Sequence, residues 1–177
     1  MIDTTSTKRL VILGSGGYGR TLIDLAEQLG YKDIITLDDK DPEHPLASFV
    51  DYISGDPDNL VEFIPAFGNN EFRLSWCERI QATPGAQLAT LIHPSAYISP
   101  KATVAPGTVI LPHSVINTGT VVKRGCIVNI GSLIDHDCVL ESGVHLAPGS
   151  IVKGENRIPR GCKIESGEVV ERGQFPL

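Results

Sequence analysis

One of the five histidines stands in a run with obvious chemical use, Ile134-Asp135-His136-Asp137-Cys138. A neutral imidazole beside a carboxylate is a general base of suitable pKa, because the carboxylate favours the imidazolium formed on proton transfer. A solvated polar turn is the plain alternative, and residue types alone leave the two open. His145 follows nine residues later. His44 lies in a stretch rich in Asp, Pro and His and reads as a solvated loop residue. His93 precedes a proline and reads as a cap, and His113 reads as an exposed corner.

A second group with chemical potential lies near the start, Gly14-Ser15-Gly16-Gly17-Tyr18-Gly19. The run Lys8–Leu13 before it is apolar enough for a buried strand. Leu22, Leu25, Ala26 and Leu29 after it are spaced for a helix over Arg20–Leu29, closed by Gly30. A further strand, Ile34–Leu37, ends at Asp38 and Asp39. This is a βαβ unit with G-x-G-x-x-G at its first turn. Such glycines let backbone N–H groups approach a diphosphate at the positive end of a helix. The two carboxylates at the end of the second strand are placed for a ribose or a base edge. Residues 39–57 read as a surface loop. Phe63–Phe67 reads as another buried strand, ending at Gly68-Asn69-Asn70, and Glu71–Ile80 as a helix, with Gln87–Leu91 leading onward. About 85 residues make half of a dinucleotide fold, which suits a mononucleotide or nucleotide-sugar.

From Ile92 a six-residue period takes over. Ile92, Ile98, Val104, Ile110, Ile116, Val122, Val128, Ile134, Leu140, Leu146, Val152, Ile158, Ile164 and Val170 are aliphatic without a slip. Three residues after the aliphatic position, nine of the fourteen hexads carry Gly, which marks a turn with positive φ. Small residues such as Ser114, Thr120, Cys126 and Cys138 follow one step later. Neither the helical nor the strand period explains this pattern. A three-sided parallel solenoid does: three hexads make one 18-residue coil, and coils stack about 4.8 Å apart. The expected architecture is an α/β, Rossmann-like half domain over residues 1–88, followed by a parallel β-helix of hexapeptide repeats over residues 89–177. In such a prism His136 and His145 are half a coil apart and point from opposite sides. They share a site only between neighbouring subunits of a ring, and three flat faces favour threefold symmetry.

Composition excludes several classes. The formal net charge of −6 disfavours a nucleic-acid or acidic-membrane partner. No apolar run approaches the roughly 18 residues needed to span a bilayer. The short apolar run near the start reads as a strand and not a signal peptide, so a reducing cytoplasm is expected. The four cysteines lack metal-ligand spacing and read as small buried fillers. No metal is expected.

The combination of a glycine-turn βαβ unit, the Asp-Asp pair, Gly68-Asn69-Asn70 followed by Arg73, and hexapeptides with His136-Asp137-Cys138 and then His145 resembles a known family. It is similar to the bacterial sugar acetyltransferases of the sialic acid O-acetyltransferase and UDP-amino-sugar N-acetyltransferase type, over nearly the whole chain to about Gly154. The resemblance implies a left-handed solenoid, a homotrimer, and acetyl-CoA lying between adjacent solenoids. It implies that His136 is the general base with Asp137 raising its basicity, and that His145, with Gly154, serves acetyl-CoA. It places a nucleotide-sugar near Gly16, Gly17 and Tyr18, with Asp38 and Asp39 at the nucleobase and Gly68 nearby. The family's turn usually carries His where Tyr18 stands. Its solenoid also usually runs on for further coils, whereas here the repeat stops at Val170–Leu177. A non-catalytic nucleotide-sugar-binding scaffold is therefore the second expectation.

Overall fold

The computed structural model describes residues 9–53 and 61–177. Lys8 of the expected first strand and residues 54–57 of the expected loop lie outside them. The N-terminal part is β1 (Arg9–Leu13), α1 (Gly17–Gln28), β2 (Asp33–Leu37), β3 (Val61–Pro65), α2 (Asn70–Ala82) and β4 (Gln87–Leu88). The strands form one parallel sheet in the order β2-β1-β3-β4. The central strand β1 is buried on both faces, and its alternation divides the core in two. Leu10 and Ile12 meet Leu22, Leu25 and Ala26 of α1, while Val11 and Leu13 meet Leu37, Phe63 and Trp76.

Three expectations are corrected in detail. Helix α1 begins at Gly17, three residues earlier than the apolar spacing indicated, because the glycine turn itself enters the helix. The strand expected over Phe63–Phe67 runs Val61–Pro65 instead, and Pro65, with no N–H to give to the ladder, is its last residue. The stretch read as a surface loop contains a 3-10 helix, Leu46–Tyr52. Leu46 and Phe49 of this helix are buried, and the Phe49 ring meets Phe63 and Trp76 edge-on at 5.9 and 5.5 Å. Helix α1 closes as expected on Gly30, whose φ is +88°.

The rest is a left-handed parallel β-helix of two-residue strands on three faces. The first face stacks Leu91–Ile92, Val109–Ile110, Ile127–Val128, His145–Leu146 and Lys163–Ile164. The second stacks Tyr97–Ile98, Val115–Ile116, Leu133–Ile134, Ile151–Val152 and Val169–Val170, and the third Thr103–Val104, Val121–Val122, Val139–Leu140 and Arg157–Ile158. Each residue pairs with the one 18 positions away. The aliphatic column forms the core. The small hydroxyls between coils are also buried and donate to carbonyls three residues short of a full coil, as Thr120 does to Asp135 at 2.9 Å. From residue 107 to 173 all twelve corners are left-handed: nine are Gly, and His113, Asp137 and Glu155 occupy the other three with φ of 59°, 55° and 62°.

The repeat does not simply stop after Val170. The last residues fold back over the open end, with Phe175 packing on the core. Buried Asn156 holds this cap. Its Oδ1 accepts from Phe175 N–H at 2.9 Å, and its Nδ2 donates to the carbonyls of Lys153 and Glu171.

The two parts meet along the first face and one corner. Helix α1 covers the first face through Leu91, Val109 and Leu111. Helix α2 lies along the corner column Gly107, Gly125, Gly143 and Gly161. Cys77 faces the first two glycines, Leu74 covers Gly125 and Gly143, and Glu71 reaches Gly161. Residues three apart on a helix are about 4.5 Å apart along its axis, close to the roughly 4.8 Å between coils. The helix therefore sets one side chain per coil.

Candidate active site

The His136 corner, between the second and third faces, is built by its neighbours above and below. Asp137 takes a corner conformation that glycine adopts elsewhere, and its backbone N–H donates to Thr118 O at 2.9 Å. Gly119, one coil below, makes room for it: a Cβ there would lie 2.2 Å from Asp137 Oδ1. His136 Nδ1 is 2.9 Å from Asp137 Oδ2. With Asp137 ionised, Nδ1 carries the hydrogen and Nε2 keeps its lone pair. That hydrogen bond is the main reason the imidazole is held above its ordinary pKa. Burial opposes it, the Asp135 and Asp137 charges add to it, and Arg172 subtracts.

Asp135 braces the same corner. Its Oδ1 accepts from the His136 N–H at 2.8 Å and from Asn117 Nδ2 at 3.1 Å. These bonds, first of all the one from the His136 backbone, hold its carboxyl below the usual range. Gly154 lies one coil above His136. A Cβ on residue 154 would sit 2.8 Å from Nε2 and 3.0 Å from Cε1 of the imidazole, so the missing side chain is what leaves the ring its place. A further coil up, Arg172 pairs with Glu155.

His145 projects outward from the first face, on the opposite side of the prism from His136, so one chain does not bring the two histidines together. Tyr18, at the start of the helix covering that face, lies on the His145 side. Burial first, then the charges of Arg73 and Lys163, push His145 down to about 4, with Glu165 opposing. Its Nδ1 is buried without a partner, and its Nε2 lies 3.3 Å from Asn129 Nδ2. The Tyr18 hydroxyl is likewise buried and unpartnered, and burial raises its pKa strongly.

At the glycine turn, Gly16 and Gly17 are exposed, and a Cβ on Gly16 would meet nothing within 4 Å. Gly19 has the opposite role: a Cβ there would strike Gly14 O at 2.1 Å, so it is the close contact of helix and strand. The open backbone at the start of α1 therefore fits a phosphate-bearing ligand. Asp38 closes this turn, accepting from Ser15 N and Ser15 Oγ, both at 2.9 Å. Asp39 Oδ1 accepts from Leu46 N at 3.0 Å. Gly68 is exposed just before Asn69, whose side chain caps α2 through Phe72 N.

The remaining histidines lie elsewhere: His93 links Gln28 to Ser95, His44 pairs with Asp41 on the surface, and His113 is an exposed corner. All four cysteines are free thiols, and burial pushes Cys77 to about 11 and Cys126 to about 12. Among the described residues no cluster could hold a metal ion, and no helix is long and apolar enough to cross a membrane.

Sequence reading passed over the supports of these groups: Asn117, Asn129, Asn70 and the inward role of Arg73. The period of 18 was the available signal, since it stacks Asn117 under Asp135 and Gly154 over His136.

A parallel hexapeptide solenoid carrying a His-Asp corner, behind a glycine-turn α/β unit, defines an acyltransferase architecture. Residues 9–80 match the PglD N-terminal domain family. The chain is 34% identical to the acetyltransferase domain of PglB from Neisseria gonorrhoeae, covering 92% of this chain and 82% of that one with a TM-score of 0.81. The same domain has been solved in complex with acetyl coenzyme A. A histidine-to-asparagine mutant of perosamine N-acetyltransferase from Caulobacter crescentus, solved with CoA and GDP-perosamine, shares the fold at 22% identity and a TM-score of 0.79, covering 95% of this chain and 90% of that one. WeeI from Acinetobacter baumannii shares it at 22% and 0.77, covering 94% and 82%. The chain belongs to the bacterial sugar acetyltransferases of hexapeptide-repeat type. It is accordingly an acetyltransferase, and the non-catalytic scaffold reading is set aside.

Proposed function

We propose that this protein transfers an acetyl group from acetyl-CoA directly to the amino or hydroxyl group of a nucleotide-linked sugar, with His136 as general base. The observation that carries the reading is the His136 corner, where Asp137 holds Nδ1 at 2.9 Å and the absent side chain of Gly154 gives Nε2 its room. Acetyl-CoA supplies a thioester carbon and a thiolate leaving group. His136 Nε2 takes the acceptor's proton as its nitrogen or oxygen attacks that carbon. The C–S bond breaks as the tetrahedral intermediate collapses, and the imidazolium returns the proton to the departing sulfur. Asp137 stabilises the imidazolium in between. The nucleotide lies over the open backbone of Gly16 and Gly17, at the positive end of α1, with Tyr18, Asp38, Asp39 and Gly68 around it.

The reaction needs His136 of one subunit beside His145 of the next, which makes the working unit a homotrimer. The second face supports this. Its outward ladder is Tyr97, Val115, Leu133, Ile151 and Val169, apolar throughout, and Tyr97, Leu133 and Val169 are 56%, 40% and 40% exposed. A continuous apolar strip of this kind on a soluble fold marks an interface.

The test is release of free CoA from acetyl-CoA in the presence of candidate nucleotide amino-sugars. His136→Ala should lower the rate by about 10²–10⁴-fold, the contribution of a positioned general base, with the circular dichroism spectrum unchanged. Full activity in that variant rejects the assignment.

A further inference from the structure

Arg73 is 1% exposed, yet it has no carboxylate partner among the described residues. Its guanidinium instead donates to three backbone carbonyls. Nη1 reaches Phe67 O at 2.9 Å, and Nε and Nη2 reach Gly125 O and Gly143 O, each at 2.8 Å. The last two belong to successive coils. Burying an uncompensated cation is costly, and a hydrophobic side chain would dock α2 on the glycine column without that cost. The charge therefore calls for an explanation beyond packing.

Around Arg73 are buried polar atoms that lack partners: Tyr18 Oη, Asn70 Oδ1 and His145 Nδ1. Their hydrogen-bonding sense follows from their neighbours. Asn129 Oδ1 accepts from Ile130 N at 2.9 Å, so the amide turns its Nδ2 toward His145 Nε2. Nε2 must then accept, which makes the imidazole neutral and leaves Nδ1–H as its free donor. Asn70 Nδ2 donates to Gly161 O at 2.8 Å and more weakly to Cys162 O, leaving Oδ1 as a free acceptor. Cys162 O also receives the His145 N–H at 2.9 Å, so Asn70 and His145 meet at one carbonyl.

We propose that Arg73 is a positioning residue for the acyl-transfer site: by locking α2 to two coils it seats Asn70 and, together with Asn129, holds His145 as a neutral imidazole that presents Nδ1–H. This rests on the proposed role of the His145 side in acyl transfer. A neutral donor aimed at a carbonyl oxygen stabilises the charge that develops there without itself exchanging a proton. The charged groups facing His145 are Arg73 from α2, and Lys163 and Glu165 from the coil above. Two of the three are cations, so protonation is disfavoured from both sides.

Nitrogen-15 labelling of histidine in the full-length protein reads the tautomer directly. The wild type should show His145 as a neutral Nδ1–H tautomer that stays neutral well below the ordinary imidazole range. An Nε2–H tautomer, or titration at an ordinary value, overturns the proposal. Arg73→Met should move the His145 midpoint upward and lower kcat about 10²-fold with a smaller change in KM, the cost of a roughly 1 Å misplacement. Arg73→Lys, which keeps the charge without the three-way fork, should restore the midpoint more than kcat. A folded Arg73→Met protein with both quantities unchanged also overturns it. Should Arg73→Met fail to fold, the wild-type tautomer and Arg73→Lys decide alone. The nitrogen measurement does not depend on turnover. If His145 behaves as stated and responds to Arg73→Met while His136→Ala remains active, the functional reading fails and the role of Arg73 in keeping His145 neutral stands.

Discussion

The His136 imidazole is shaped by one residue on each side and one above. Its pKa is raised chiefly by the hydrogen bond to Asp137. A general base must be neutral, so kcat/KM should rise with pH through a limb lying above the ordinary imidazole value of about 6.5. Asp137→Asn removes the accepting carboxylate and its charge, so the folded pKa falls back toward that value. The limb in the pH–rate profile should shift to lower pH while the plateau rate drops, and an unmoved limb would show that Asp137 does not tune the base. Gly154→Ala tests the space rather than the charge. The new methyl would enter 2.8 Å from Nε2, and the imidazole, at the end of a rotatable side chain, gives way more easily than backbone. The melting temperature should change little, whereas kcat should fall about 10²-fold through displacement of the base.

At the scale of elements, helix α2 and the glycine column are matched. Leu74 occupies the space that a Cβ at Gly143 would need, 2.3 Å from its Cδ1, and Gly143 has φ of +75°. Gly143→Ala therefore meets two costs. An L-residue in the left-handed region costs about 1–2 kcal/mol. Overpacking against Leu74 costs about 1–3 kcal/mol more. Denaturant unfolding should show this loss, in contrast to Gly149→Ala, where a Cβ meets nothing within 4 Å and only the conformational cost applies. Equal losses at both positions would mean that α2 does not press on the corner as described. The 3-10 helix Leu46–Tyr52 shows why this part of the chain was misread. Its polar flanks dominate the composition, while Leu46 and Phe49 reach the core, Phe49 contacting Phe63 and Trp76.

At the scale of the whole molecule, catalysis as proposed depends on association. The prism sets His136 on a corner and His145 on the face opposite, with α1 and the glycine turn on the His145 side. Leu133, 40% exposed in the middle of the apolar second face, is the position to charge. If the proposed trimer forms through this face, Leu133→Glu should give monomers in sedimentation velocity and abolish CoA release, although Leu133 precedes the His136 corner by three residues and its outward side chain takes no part in the core. A variant that remains trimeric and active would place the interface elsewhere.

Much of this was readable from one sequence, and for a physical reason. A six-residue period with glycine at the corners is a local rule: each hexad makes the same strand and turn, and stacking repeats it. The same applies to His136 and Asp137, adjacent in the chain and held in contact by one corner. What the tertiary structure decided is which residues far apart in sequence share a few ångströms. Gly154 became the space beside His136, Arg73 turned inward to two coils, and the Tyr18 hydroxyl and His145 Nδ1 were buried without partners. Those contacts follow from how an α/β unit docks on one face and one corner of a prism. Docking is set by the summed fit of two surfaces, which no local pattern of residue types encodes.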